Sequence, residues 1–132
     1  MRYLLDTNIC IAYLNGKSLN VKRNFLQNSP SDIFLCSVVK AELIYGAMKS
    51  QKVEQNIEKL EQFFKQFSSL PFDDDSSKIY GKVRANLEKS GNIIGPNDLL
   101  IASVALANDM TLVTNNIGEF ERVEELNIVD WK

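Results

Sequence analysis

The chain has 132 residues, 45% hydrophobic and 24% charged, the size and balance of one folded domain rather than a disordered segment. Fifteen Lys and Arg against 17 Asp and Glu give a net charge of −2, which argues against holding nucleic acid by bulk positive charge. Histidine is absent. That excludes Ser–His and Cys–His nucleophiles, imidazole acid–base pairs and every zinc site that needs His.

Tyr3-Leu4-Leu5 is an apolar run too short for a helix, and it predicts a buried strand. Asp6-Thr7-Asn8 follows as a cap, and a first helix is expected from about Asn8 to Leu14, closed by Asn15-Gly16. Ser18 opens a second helical stretch on Val21, Phe25 and Leu26, stopped by Asn28-Ser29-Pro30. Ile33–Cys36 is the second predicted strand, with Ser37 as N-cap of a helix running to about Ser50. From Val53 to Phe67 the apolar positions Val53, Ile57, Leu60, Phe64 and Phe67 form one helical face. Core packing is the simpler use of that face, with Phe63 and Phe64 also candidates for a partner contact.

Leu70-Pro71-Phe72 suggests an edge segment, and Asp73-Asp74-Asp75-Ser76 leads a helix through Ile79, Tyr80, Val83 and Leu87 to Ser90-Gly91-Asn92. Pro96 suits a first helical turn, so a helix is expected from there to Asn108. Leu112-Val113 is a strand core, Thr114-Asn115-Asn116 its polar exit, and Leu126–Val129 a last strand. Strands alternating with helices predict a single α/β domain over residues 1–132, layered α/β/α around a mainly parallel sheet.

Ligands of such folds collect beyond the carboxyl ends of the strands. Asp6, Ser37 and Thr114–Asn116 fall there. Asp6 also reads as a helix cap and Asp98 as a first-turn acid favoured by the helix dipole. Glu42 has Val38, Val39, Tyr45 and Gly46 at helical contact spacing, so it is either exposed at the margin of an apolar stripe or functional. Together, three isolated acids in apolar surroundings, with neither imidazole nor a thiolate cluster, suit Mg²⁺ or Mn²⁺ and phosphoryl chemistry. No glycine-rich phosphate loop is present.

Charge is uneven along the chain. Residues 1–52 carry +4 and residues 53–132 carry −6, which suggests a basic and an acidic face; the split is equally compatible with halves that mix in space. Cys10 and Cys36 are too few for a four-cysteine zinc site. With no secretory signal and no apolar run of about 18 residues, the expectation is a reduced, cytoplasmic chain with no membrane segment.

Four ordered blocks carry a resemblance that spans essentially the whole chain: Leu4–Ile9, Ala41–Ala47, Ile94–Ala102, and Val113–Asn116 with Glu119–Val123. Together they resemble a PIN-domain ribonuclease and, more narrowly, the VapC toxins of bacterial toxin–antitoxin pairs. The resemblance implies Asp6 and Asp98 as principal ligands of Mg²⁺ or Mn²⁺, Glu42 completing an acidic pocket, and Thr114 orienting ligands. Asn8 takes a supporting position. Asn116 departs from the fuller pattern, where many relatives place Asp, and Glu119 is a candidate to replace that acid in part.

Hydrolysis of RNA would then leave a 5′-phosphate and a 3′-hydroxyl. The resemblance further implies a structured RNA substrate, with the anticodon arm of initiator tRNA the leading choice. It also implies a homodimer and a cognate VapB-like antitoxin that alone contacts DNA. Lys17, Lys22, Arg23, Lys40 and Lys49 are the candidates for RNA backbone contacts. The rival readings are a phosphoacceptor receiver-like domain and a catalytically silent PIN-like binding module. A receiver would want paired acids after the first strand and a late lysine, and a haloacid-dehalogenase phosphatase needs DxD where this chain has Asp6-Thr7-Asn8.

Overall fold

The computed structural model describes all residues, 1–132. Five short strands form one wholly parallel sheet: β1 (Tyr3–Leu5), β2 (Ile33–Cys36), β3 (Ser68–Leu70), β4 (Thr111–Val113) and β5 (Ile128–Val129), in the spatial order β3-β2-β1-β4-β5. Parallel strands need crossover connections, and here these are helices: α1 (Thr7–Asn15), α2 (Leu19–Gln27), α3 (Ser37–Met48), α4 (Val53–Phe64), α5 (Asp74–Ser90), α6 (Pro96–Ala107) and the short α7 (Ile117–Phe120). A 3₁₀ turn at Pro30–Asp32 feeds β2. Helices cover the sheet on both faces, which is why Leu4, Leu5, Leu35, Leu112 and Val113 in the central strands are fully buried. The architecture is the expected three-layer α/β/α. No helix is long and apolar enough to cross a membrane.

The sheet grows outward from β1 in one direction through β2 and β3, and in the other through β4 and β5. The chain therefore switches sides between β1 and β4, opening a crevice at the carboxyl ends of those two strands. Leu4 pairs with Leu112 and Leu5 with Val113, and the Asp6 N–H donates to the Val113 carbonyl at 2.9 Å. Asp6 and Thr114, next in sequence, are thus delivered side by side to the crevice.

Glycine closes two helices as the sequence predicts. Gly16 (φ 69°) and Gly91 (φ 72°) cap α1 and α5 in the left-handed region, where a side chain would be strained. Asp73 caps α5 by accepting from the Ser76 N–H and hydroxyl, both at 2.9 Å, leaving Asp74 and Asp75 exposed in the first turn.

Several boundaries differ from the sequence reading. The N-cap of α3 is Cys36, not Ser37, and it supplies no side-chain bond; the Ser37 hydroxyl instead faces the Leu70 carbonyl at 3.5 Å. The first helix begins at Thr7, and the last strand is shorter than predicted, Ile128–Val129. The edge strand is Ser68–Leu70, leaving Pro71 and Phe72 outside it, as the missing proline N–H requires. Helix α4 stops at Phe64 rather than Phe67. Gln66 and Phe67 then bond back to Phe63 and Phe64 in a tight turn, so Phe67 reaches the core from the turn and extends the apolar rhythm past the helix end.

An aromatic cluster fills the core beside this turn. Phe25 lies 4.0 Å from Tyr13, 5.9 Å from Phe67 and 5.7 Å from Trp131 between ring centroids, and Phe63 packs on Phe67 at 5.3 Å. Phe63 is therefore core, whereas Phe64 is half-buried beneath the Lys40 ammonium, 4.9 Å from its ring. Lys40 is thereby turned toward α4.

Candidate active site

The crevice is built on Asp6, which is 4% exposed despite its charge. Burying a carboxylate is costly unless its oxygens are hydrogen-bonded, and both are. Oδ1 accepts from the Thr7 N–H at 2.8 Å, one of the free donors at the start of α1, and Oδ2 accepts from the Thr114 hydroxyl at 2.7 Å. Burial nevertheless dominates and raises the Asp6 pKa above its ordinary value, with Glu42 and Glu119 adding repulsion.

From Asp6 a hydrogen-bonded chain runs both ways. On one side the Thr7 hydroxyl donates to Oε1 of Glu42 on α3 at 2.8 Å. On the other, Thr114 Oγ1 accepts from the Asn116 N–H at 3.0 Å, and Asn116 Nδ2 donates to Glu119 Oε2 at 2.8 Å. Glu119 Oε1 in turn accepts from the Gly95 N–H at the entrance to α6. A methyl group on Gly95 would stand 3.3 Å from Glu119 Oε1 and 3.4 Å from Asp98 Oδ2, so the bare backbone makes room for both carboxyl groups.

Asp98, in the first turn of α6, completes the group. Its pKa is raised to about 7, first by burial, then by repulsion from Asp6 and Glu119, with a smaller push from Glu42. The Asp98 and Glu119 carboxyl groups lie within hydrogen-bonding reach of each other. Glu119 is shifted the opposite way, chiefly by the Gly95 N–H and the Asn116 amide, with Arg122 adding attraction. The two shifts are opposite in direction, so of this pair Asp98 is held toward its neutral form and Glu119 toward its charged form.

Hydrogen bonds through Thr7 and Thr114 link Asp6, Glu42, Asn116 and Glu119 around this crevice, and Asp98 stands close enough to feel the charges of Asp6, Glu119 and Glu42. The Asn8 side chain is exposed and makes no hydrogen bond to this network. Two contributors escape the sequence reading, Thr7 and Gly95. Each stands beside a predicted acid, but nothing in residue type reveals a hydroxyl reaching 35 residues along the chain or an N–H aimed at Glu119.

The acids do not form a closed cage, since no three of the acidic and cysteine side chains converge to grip one ion. They are pinned by Thr, Asn and backbone donors, and no Lys or Arg neutralises them at salt-bridge distance; the one such pair in the chain, Arg84–Glu88, is on α5. An all-oxygen donor set with uncompensated charge, one member already holding a proton to about pH 7, fits a hard divalent cation.

Glu42 borders two grooves. One runs between α1, α3 and α4 past Ile11, Leu14, Leu43, Ala47, Lys59 and Leu60. The other lies between α3 and α6 and is lined by Ser37, Val38, Ala41, Tyr45, Asn97 and Leu100. Beside them α3 exposes Tyr45 (65%) and Met48 (59%).

Comparison with known proteins agrees with this fold. A family model for the PIN domain matches residues 3–126. The chain is 45% identical over 132 residues to ribonuclease VapC2 of Rickettsia felis, covering 99% of this chain and 98% of that one. It is 39% identical over 131 residues, with the same coverage, to a tRNA(fMet)-specific endonuclease VapC of Shigella flexneri. Among solved structures, VapBC2 from Rickettsia felis bound to a promoter DNA fragment superposes with a TM-score of 0.94 at 43% identity, covering 100% of both chains.

Proposed function

This chain belongs to the PIN-domain family, among its VapC ribonucleases, and from that premise we propose that it is a Mg²⁺- or Mn²⁺-dependent endoribonuclease toxin acting on the anticodon arm of initiator tRNA. The observation that carries the metal dependence is the set of four uncompensated carboxyl groups, Asp6, Glu42, Asp98 and Glu119, in the crevice between β1 and β4. The tRNA assignment rests on the 39% identity to the Shigella flexneri enzyme, whose name gives that substrate.

In this reading Asp6 and Asp98 hold the cation, with Glu42 and Glu119 completing its surroundings. A divalent cation bound there offsets negative charge building on the scissile phosphate and lowers the pKa of water. The remaining work falls to the chain itself. Thr114 keeps Asp6 turned into the crevice, and Asn116 holds Glu119 there, so the amide positions an acid instead of carrying the charge of the usual Asp. Oε1 of Glu42 is occupied by the Thr7 hydroxyl, which leaves Oε2 to accept a proton from the attacking water.

Lys17, Lys22, Arg23, Lys40 and Lys49 remain the proposed contacts to RNA phosphates. Lys40, packed over Phe64, and Lys49, over the exposed Tyr45 ring, each already face an aromatic ring, which leaves Lys17, Lys22 and Arg23 as the freer cations. A cognate VapB-like antitoxin is the proposed partner, supported by the likeness to a VapBC complex, with DNA reached only through it. The exposed apolar residues of α3, Ile44, Tyr45 and Met48, support a homodimer or antitoxin contact.

The test is cleavage of purified initiator tRNA, with elongator methionine tRNA beside it. Cutting of the initiator alone in Mg²⁺ supports the full reading. Cutting of both retains the nuclease and rejects the specificity, and cutting of neither rejects the substrate.

A further inference from the structure

Glu42 lies in the middle of α3, remote from any helix end that could donate to it, and its side chain's one hydrogen bond within the chain is from Thr7. Thr7 is the first residue of α1, where no preceding helical carbonyl competes for its hydroxyl. Its N–H is one of the unpaired donors of the first turn and goes to Asp6 Oδ1 at 2.8 Å, while its Oγ1–H goes to Glu42 Oε1, also at 2.8 Å. One residue thus grips two like-charged groups on different elements, one through the backbone and one through the side chain. Without the hydroxyl, repulsion between Glu42 and the other acids would favour rotation of the half-exposed glutamate toward either groove that it borders.

We infer that Thr7 is a positioning residue of the cation site, its hydroxyl keeping the Glu42 carboxylate turned toward the cation that Asp6 and Asp98 bind. The inference rests on the metal-binding reading above and adds to it a residue that touches neither substrate nor cation. Because the amide bond to Asp6 does not depend on the side chain, Thr7→Val deletes the link to Glu42 and leaves the link to Asp6.

The test is calorimetric titration of the full chain with Mn²⁺ alone, in wild type, Thr7→Val, Thr7→Ser, Glu42→Gln and the double variant Thr7→Val/Glu42→Gln. Loss of a residue that orients a ligand weakens metal binding about 10-fold or more. Thr7→Val is therefore expected to weaken Mn²⁺ by about 10-fold, and Thr7→Ser, which keeps the hydroxyl, to retain wild-type affinity. The double variant is expected to match Glu42→Gln within about 2-fold, because the hydroxyl acts through Glu42. Wild-type affinity in Thr7→Val overturns the inference, and so does an equal further loss in the Glu42→Gln background. Should Thr7→Val fail to fold, Thr7→Ala takes its place with the same expectations. Failure of the wild-type chain to bind Mn²⁺ at all overturns the metal reading itself, a result visible before any variant is compared.

Discussion

The Thr114 hydroxyl donates a 2.7 Å hydrogen bond to Asp6 Oδ2 across 108 residues of sequence, entirely within the protein interior. The bond exists because β1 and β4 are parallel neighbours in register, so the residues that follow Leu5 and Val113 emerge together. It joins the two sides of the crevice, since Thr114 leads on to Asn116 and Glu119 while Asp6 leads through Thr7 to Glu42.

Asp6→Asn should separate folding from catalysis. The amide keeps the carboxylate's shape and places no charge in a buried position, and a Thr114 hydroxyl can accept from the new N–H. The expected thermal midpoint in metal-free buffer is at or above that of wild type, while RNA cleavage in Mg²⁺ falls by more than about 100-fold, as loss of several kcal/mol of charge stabilisation requires. Thermal melts and single-turnover cleavage measure the two; retained activity would remove Asp6 from the site.

The pH dependence of metal-free stability follows from Asp98. Folded, the group keeps its proton to about 7; unfolded, it releases it near the ordinary Asp value of 3.8. Between those values the folded state binds more protons, so its stability falls as pH rises. The contribution is whole below 3.8 and gone above about 7, and the upward shift of Asp6 acts in the same direction. Glu119 is shifted down, so its contribution is present above 4.5 and lost only as pH falls below that. The midpoint in EDTA should therefore be higher near about pH 5 than near about pH 8. Asp98→Asn should reduce the difference; a midpoint that rises across this range would contradict the assignment.

Gly95→Ala should act on the site without unfolding it. The Gly95 φ of −57° suits any residue, so the cost lies in the new methyl group pressing on Glu119 Oε1 and Asp98 Oδ2. Cleavage is expected to fall about 10-fold, the scale of a displaced supporting group, with the urea midpoint little changed. A loss of stability with wild-type specific activity in the folded fraction would show the glycine to be structural only.

Trp131→Ala should do the reverse. The indole is 4% exposed, 5.1 Å from Tyr3 and 5.7 Å from Phe25. Its removal is expected to cost about 3–5 kcal/mol in urea unfolding, the range for a buried aromatic truncated to alanine, with the acids untouched.

Much of this arrangement is legible in the sequence because it depends on element ends. Short apolar runs followed by polar residues place Asp6 and Thr114 at the strand ends, and Pro96 fixes the start of α6 and hence the first-turn position of Asp98. What is hidden depends on side-chain direction. Spacing shows Glu119 three residues beyond Asn116, but not that the turn of α7 aims it back at Gly95. Thr7 reads as part of a cap until α3 is seen beside it. Lys40 reads as a free cation until α4 places Phe64 beneath it. The apolar rhythm of α4 overruns its end because Phe67 serves the same aromatic core from a turn.

In the proposed function, carboxylates and a divalent cation hydrolyse RNA in a chain without histidine. The end chemistry of the cleaved RNA, in Mg²⁺ and in excess EDTA, tests this. Fragments with 5′-phosphate and 3′-hydroxyl ends are expected in Mg²⁺, and no cleavage in EDTA. Cyclic phosphate ends, or undiminished cleavage in EDTA, would contradict it.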